Sequence, residues 1–532
     1  MAVLSSGHKL FIQLNSGKIP NFLIQKNKIM IHSLPKQSQS FWIDSTLESN
    51  YPSLCENISV DVAIVGGGLV GISAAKLLKQ AGKTVAVLEA EQVGAGVSGH
   101  TTAKISSLHQ LIYADLIKQH GEEKARLYGE SNQAALEQYA NLIQSEQIDC
   151  DFERKDIYTF AASLDNLDKI KAEFEAAVKL GLPASFVQQT GLPFEIAGAV
   201  KFDNQAQFHP RKYILHLAKT IHGEGSYIFE HTRIKTVEGE NPCQVIAENG
   251  CIVTAQDVII ATNLPILDQG LFFAKAYPKR SYLIGAWIDS TKDPQGMFIG
   301  VGQDYHSIRT TPHEGKTLLL IGGKGHKVGE ADDTEVLYKQ LADYAYSTFG
   351  VEEIAYRWST QDMVSFDQLP YIGKLTPMNN HTYVATGFSL WGMSKSMMSA
   401  MILSDLILGK ENPWANLYDS TRPTPFVTQE SIKKNLDVGM HWVGDRLKGL
   451  LDSPEKVGIG EGKVVNVNGD QIGAYRDESG TLHQVSAVCT HLGCIVSWNP
   501  AEKSWDCPCH GARFNCEGEV IQAPAVKDLK KY

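Results

Sequence analysis

The sequence predicts an α/β domain of Rossmann type, interleaved with an antiparallel-sheet domain and followed by a small all-β domain. Three observations carry that prediction: a strand, glycine turn and helix in register from Asp61; alternating apolar segments between Thr232 and Gly323; and a turn-rich tail opened by Pro454. At 532 residues, and about one domain per 150 residues, the chain has room for several packed cores.

Residues 1–40 are polar and weakly periodic and read as an N-terminal extension. DVAIV from Asp61 reads as a strand, Gly66 to Gly71 as a turn, and Ile72, Ala75 and Leu78 recur at helical spacing before a second strand, TVAVLE. Helical patterns follow over 113–146 and 165–180. TRIKTV and CQVIAENGCIVTAQDVIIAT alternate like antiparallel strands closing on a buried one, and KRSYLIGAWID and KTLLLIGG add strands of a substrate-bearing sheet. TYVATGFSLWGMSKS completes a body spanning 41–425. A linker over 426–453 holds an amphipathic helix at 429–451, and 454–532 forms the small β domain.

Composition narrows the function classes. Net charge is −10 with no run of Lys and Arg, so nucleic acid is not an expected partner. The longest apolar run, 62–75, is interrupted by glycines and falls short of the ~18 residues that span a bilayer. The first residues show no export signal, so a cytoplasmic location is expected. Five of nine cysteines fall between Cys489 and Cys516, which in a cytosolic chain suggests metal rather than a disulfide framework.

Gly66-x-Gly68-x-x-Gly71 follows one strand and opens a helix, so the first glycine can turn tightly, the second admit a pyrophosphate and the third let helix meet strand. Glu89 ends the next strand, 18 residues beyond Gly71, where a carboxylate accepts ribose hydroxyls. A glycine-rich turn is the plainer reading of the motif alone; the register of strand, helix and Glu89 points to a dinucleotide. GVGQDY, GGKGHKVG and GIGEGK fail the spacing or context, leaving one fingerprint where an enzyme reduced by NAD(P)H would need two.

At further points the chain resembles the glycine/D-amino-acid oxidase superfamily of FAD proteins. GAGVSGHTTAK is similar to its second flavin-contact loop, VIIATNLP to its ATN signature, and LPYIGKL with GFSLWGMSKS to its C-terminal flavin segment. This resemblance covers about 41–425. It implies that Ser98, Thr101, Thr102, Thr262, Gly392, Met393 and Ser394 join Gly66, Gly68, Gly71 and Glu89 in holding FAD, with 392–394 at a helix N-terminus facing the flavin pyrimidine edge. A helix cap and turn is the plainer role of Ser98, Thr101 and Thr102. MVSFDQLPYIG lacks a cysteine and His100 stands off the position of a linking histidine, so non-covalent FAD is expected.

The tail reads Cys489-Thr-His491-Leu-Gly-Cys494 and then Cys507-Pro-Cys509-His510-Gly511. C-x-H and C-x-x-H loops supply two thiolates and two imidazoles, whereas a zinc ribbon, the other reading, favours CxxC knuckles. The stretch resembles the Rieske proteins of respiratory and photosynthetic cytochrome complexes. That resemblance implies a [2Fe-2S] cluster with Cys489 and Cys507 on one iron, His491 and His510 on the other, and a Cys494–Cys509 disulfide tying the loops. High-potential relatives carry serine and tyrosine where Ala512 and Phe514 stand, so the potential is expected toward the middle of the roughly −150 to +300 mV range. Quinol oxidation and its membrane anchor are not expected.

The FAD resemblance implies oxidation of a C–N bond to an imine, which water hydrolyses. Arg309 stands where relatives often carry a cavity-facing arginine and would fork a substrate carboxylate; a surface arginine is the plainer reading. His100 and Lys104 are the other catalytic candidates and Trp391 a flavin neighbour, with packing and loop hydrogen bonds as their plainer roles, while His209 reads as structural. Together these readings describe an FAD-dependent dehydrogenase of a small amine or amino acid that passes electrons singly through the cluster to an external acceptor. An amine oxidase using oxygen and a non-enzymatic redox shuttle or sensor are the alternatives. A Rieske oxygenase is not supported, because none of the 17 histidines forms a D-x-x-H-x(3–4)-H array.

Overall fold

An apolar run suits a strand covered on both faces, and Ile58–Val65, with Val62, Ala63 and Ile64 fully buried, lies inside an eight-stranded sheet. These strands belong to a computed structural model that describes residues 34–302, 305–331, 333–423 and 453–532. The first 33 residues of the expected extension and the 429–451 helix lie outside the described residues. Val85–Leu88 and Ile252–Ile260 flank the strand in parallel, followed outward by Tyr227–Phe229 and Thr382–Thr386. The carboxyl ends of these five strands converge on one edge, where open α/β sheets bind ligands.

The helix Leu69–Gln80 starts directly on Gly68 and buries Ile72, Ala75 and Leu78 completely. It packs against the helix Gly392–Ile407, which brings the second sequence-distant flavin segment to the same edge. The single helical pattern expected over 113–146 is two helices, Tyr113–His120 and Glu122–Ser145, because Gly121 at φ +85° breaks the hydrogen-bond run. Glu173 caps the first of them, its carboxylate accepting from the N–H groups of Ile112, Tyr113 and Ala114 at 2.8–3.0 Å.

The second sheet has nine strands and is antiparallel except where Met297–Gly300 pairs with Glu153–Ala161. Its longest pairing joins Ala276–Ile288 to Lys316–Lys327 and Glu353–Ser365. The two-residue strand Lys104–Ile105 pairs with Gln207 and Ala206, so the 94–104 loop runs from the dinucleotide edge into the second sheet. His209 caps the helix Pro210–Ile221, its Nδ1 accepting from Lys212 N–H at 3.2 Å. The tail forms one three-stranded and one four-stranded sheet around the fully buried Trp505 and Phe514. Among the described residues no helix is long and apolar enough to cross a membrane.

Candidate functional site

The glycine loop is sterically closed. A Cβ on Gly66, which sits at φ +109°, would lie 2.5 Å from the Ala261 carbonyl oxygen, and one on Gly71 would lie 2.0 Å from that of Gly66. The turn therefore holds strand, helix and the Ala261–Thr262 segment within contact of one another. Glu89 fixes the loop from the side, accepting from Gly67 N–H at 2.7 Å and Glu91 N–H at 3.0 Å, while desolvation raises its pKa. Ser98 accepts from Leu69 N–H at 3.0 Å at the start of the helix and lines both of the cavities described below.

Two cavities of about 1180 and 1040 Å³ meet at Gly68, Ser98 and Asn263, and together they suit an extended dinucleotide better than a compact ligand. The first is lined by Thr101, Thr102, Lys104, Trp391, Gly392 and Met393. The second is lined by Gly66, Glu89 and Thr262 and, from the tail, by Ile521 and Ala523. Gly71 lies behind the loop, in the packing role of a third glycine. The residues present fit FAD: Gly66 and Gly68 line the second cavity, Gly68 also lines the first, and Glu89 lines the second beside them.

Two expected catalytic residues, His100 and Arg309, line neither cavity. The Ser394 hydroxyl donates to Asn132 Oδ1 at 3.0 Å and meets His109 Nε2 at 3.1 Å, which leaves the expected flavin contact to its backbone N–H in the first turn of the helix. His100 closes the turn Val97–His100 with Nδ1 on the Gly96 carbonyl at 2.9 Å and lines neither cavity. Arg309 is fully buried behind the 102–103 backbone, donating to Ala103 O at 2.7 Å and Thr310 O at 3.2 Å with its guanidinium 5.4 Å from the Trp42 ring. It braces the flavin-contact loop and does not reach the cavity as a carboxylate fork would require.

Lys104 does face the first cavity, its Nζ donating to Ser307 Oγ. Burial, with the nearby Arg309 charge, pushes its pKa down to about 7. Sequence reasoning missed Asp362 on the same cavity, where burial pushes the carboxyl up to about 6. Asp362 accepts from Leu390 N–H at 2.7 Å and holds the turn at Ser389 and Leu390, φ +53° and +69°, that launches the 392–407 helix. An acid inside the strand Glu353–Ser365 was the available signal. Gln110, Ser281, Tyr305 and Thr360 add polar groups that no local spacing marked.

In the tail, Cys489 and Cys507 are buried side by side and Cys494 and Cys509 form a disulfide. The His491 and His510 rings lie 5.1 Å apart, and both Nδ1 atoms are buried with no hydrogen-bond partner. Two thiols and two orphaned imidazole nitrogens are the donor set a Rieske [2Fe-2S] cluster takes, so these residues fit that group. Ala512 and Phe514 are fully buried and offer the cluster no hydroxyl.

The imidazoles are turned onto the large body. His491 Nε2 meets Asp268 Oδ1 at 2.9 Å, and the Phe273 ring lies 5.8 Å from the His491 ring and 5.1 Å from that of His510. Gln361 Nε2 donates to Gly511 O at 2.7 Å, and Gly511, at φ +78°, has no room for a Cβ beside that amide. Arg280 and Asp506 form an ion pair at 2.9 Å with side chains 1% and 5% exposed. Although burial opposes it, Arg280 and Arg513 hold the Asp506 carboxyl down at about 2. Gln361 lies between Thr360 and Asp362, both of the first cavity, so one short stretch of strand touches cleft and cluster loop alike.

Residues 61–406 match the family of FAD dependent oxidoreductases (DAO), and residues 450–532 match the Rieske [2Fe-2S] domain. The chain is 38% identical to the Rieske 2Fe-2S iron-sulfur protein YhfW of Bacillus subtilis over 94% of this chain and 98% of that one. It is 24% identical to the gamma-glutamylputrescine oxidoreductase of Escherichia coli over 68% of this chain and 86% of that one. Among solved structures, glycine oxidase from Geobacillus kaustophilus shares the fold of 69% of this chain and all of its own, with a TM-score of 0.58 at 19% identity. The chain thus belongs to the DAO family of FAD-dependent oxidoreductases and bears a Rieske [2Fe-2S] domain over residues 450–532.

Proposed function

We propose that the protein is a dehydrogenase of a small amine or amino acid, oxidising a C–N bond and sending the electrons one at a time through the Rieske domain to an external acceptor. The observation that carries this reading is the turn of His491 and His510 onto the FAD-binding body at Asp268 and Phe273, beside the Gln361–Gly511 bond. An oxidase that delivers electrons to oxygen has no use for that contact. Likeness to a gamma-glutamylputrescine oxidoreductase supports an amine as substrate.

Within working domain limits of 41–425 and 454–532, Gly66, Gly68, Glu89, Ser98, Thr262 and the backbone at 392–393 would hold FAD without a covalent link. Cys489, Cys507, His491 and His510 would hold the cluster. When bound, FAD supplies a two-electron acceptor for the substrate C–H pair and the cluster a one-electron carrier. Substrate enters mainly as an ammonium ion, whose nitrogen lone pair is unavailable. Lys104, neutral above pH 7, takes that proton and leaves the amine able to become an imine. Asp362 keeps the 392–407 helix N-terminus in place at the cavity.

The sign of the pH dependence follows. Below about 7 Lys104 is protonated and cannot accept a proton. kcat/KM is expected to climb about tenfold per pH unit up to that point and then bend, and Lys104→Met should remove the bend. For the reaction itself, anaerobic mixing with a panel of amines and amino acids should bleach the flavin and then develop the EPR signal of a reduced Rieske cluster. A one-electron dye should be reduced twice per substrate consumed. Peroxide formed mole for mole with product in air, with the cluster staying oxidised, would defeat the proposal.

A further inference from the structure

The second cavity has a wall that its own domain does not supply. Ile521, Gln522, Ala523, Ala525 and Val526 of the iron–sulfur body lie across from the Gly66–Gly68 loop and Glu89. The seam is closed beside them by Arg233, which donates to Val520 O at 3.0 Å while pairing with Glu91 at 2.9 Å. Two of its residues lie in a strand and three in the stretch that follows. Val520–Gln522 is a strand paired with Arg513–Asn515, and Val520 N–H is held by Asp528 Oδ1 at 2.8 Å. Arg513 in turn bonds Asp506, the residue that anchors the body to Arg280. The wall is therefore tied to the iron–sulfur body on both sides, by the strand before it and by Asp528 after it.

Four of its five side chains are apolar and none is charged, which suits the flat face and sugar of an adenosine and leaves the glycine loop to the pyrophosphate. We infer that the Rieske body is the lid of the adenosine half of the FAD site. The cofactor leaves only when the body undocks, and by reciprocity bound FAD holds the cluster histidines against the oxidoreductase. The inference rests on the placement of FAD along Gly66, Gly68 and Glu89 proposed above.

The test uses full-length holoprotein. Ile521→Glu and Ala523→Glu each put a carboxylate on the wall, and Ile521 is 43% exposed, so that variant leaves the body's core untouched. FAD release, followed by the rise of free-flavin fluorescence on dilution, is expected at least ~10-fold faster, about 1.4 kcal/mol, while the oxidised cluster spectrum is unchanged. In the wild-type protein, amide exchange over 520–526 is expected to speed up at least ~10-fold once FAD is removed. Release rates within twofold of wild type in both variants, or exchange over 520–526 indifferent to FAD, would overturn the lid. A Glu89→Ala control separates the two ideas. Normal FAD retention in that variant defeats the placement, whereas FAD loss there with normal retention in the wall variants defeats the lid alone.

Discussion

The His510→Ala protein is expected to keep its flavin, lose the Rieske EPR signal, and lose at least ~100-fold of its turnover with a one-electron dye. The buried, unpartnered Nδ1 of His510 is one of the four cluster donors proposed above, and alanine would leave that iron without a full shell. The first cavity lies in the other body, so substrate should still bleach the flavin in a single anaerobic turnover at close to the wild-type rate. Cys489→Ser should behave likewise. Steady-state reduction of the dye at wild-type rates by a cluster-free variant would take the cluster off the electron path.

Arg280→Met should destabilise the docked arrangement by about 3–5 kcal/mol, because it strips a cation from a pair that is almost wholly buried. Arg280 also donates to Ser359 Oγ at 2.8 Å and Gln361 Oε1 at 3.0 Å, so its planar fork serves three acceptors at once. Lysine presents a single point of charge and should not rescue it. The double variant Arg280→Met/Asp506→Asn should recover part of the loss, since with one of its two arginines gone the buried carboxylate keeps only Arg513 as counter-charge. Urea unfolding of the holoprotein, read separately through flavin fluorescence and cluster absorbance, measures it. A loss below ~1 kcal/mol would mean that Arg513 alone compensates Asp506.

How readily each part of the site was legible depended on how local its determinants are. The dinucleotide loop could be read because strand, turn and helix are consecutive, and Glu89 ends the very next strand. The cluster loops could be read because each sets a histidine within three residues of a cysteine, Cys489 with His491 and Cys507 with His510. His100 and Arg309 were chosen by position along the chain, yet a side chain's direction is set by rotamer and by whichever acceptor it meets. Gly96 O and Ala103 O decided those two. Asp362 stayed unnoticed because its importance comes from Leu390, 28 residues away, and from burial that no short window reports.

Two bodies, an FAD site and a cluster site with its candidate donors can be read from the chain alone, since backbone freedom at glycine and the ligand chemistry of sulfur and imidazole act over a few residues. Long-range packing alone brings the histidine edge of one body to Asp268 and Phe273 of the other, and sets Ile521, Gln522, Ala523, Ala525 and Val526 along the second cavity. Such contacts join segments hundreds of residues apart, and they exist because the burial of Arg280, Asp506 and their neighbours holds the bodies together. No local periodicity encodes that surface.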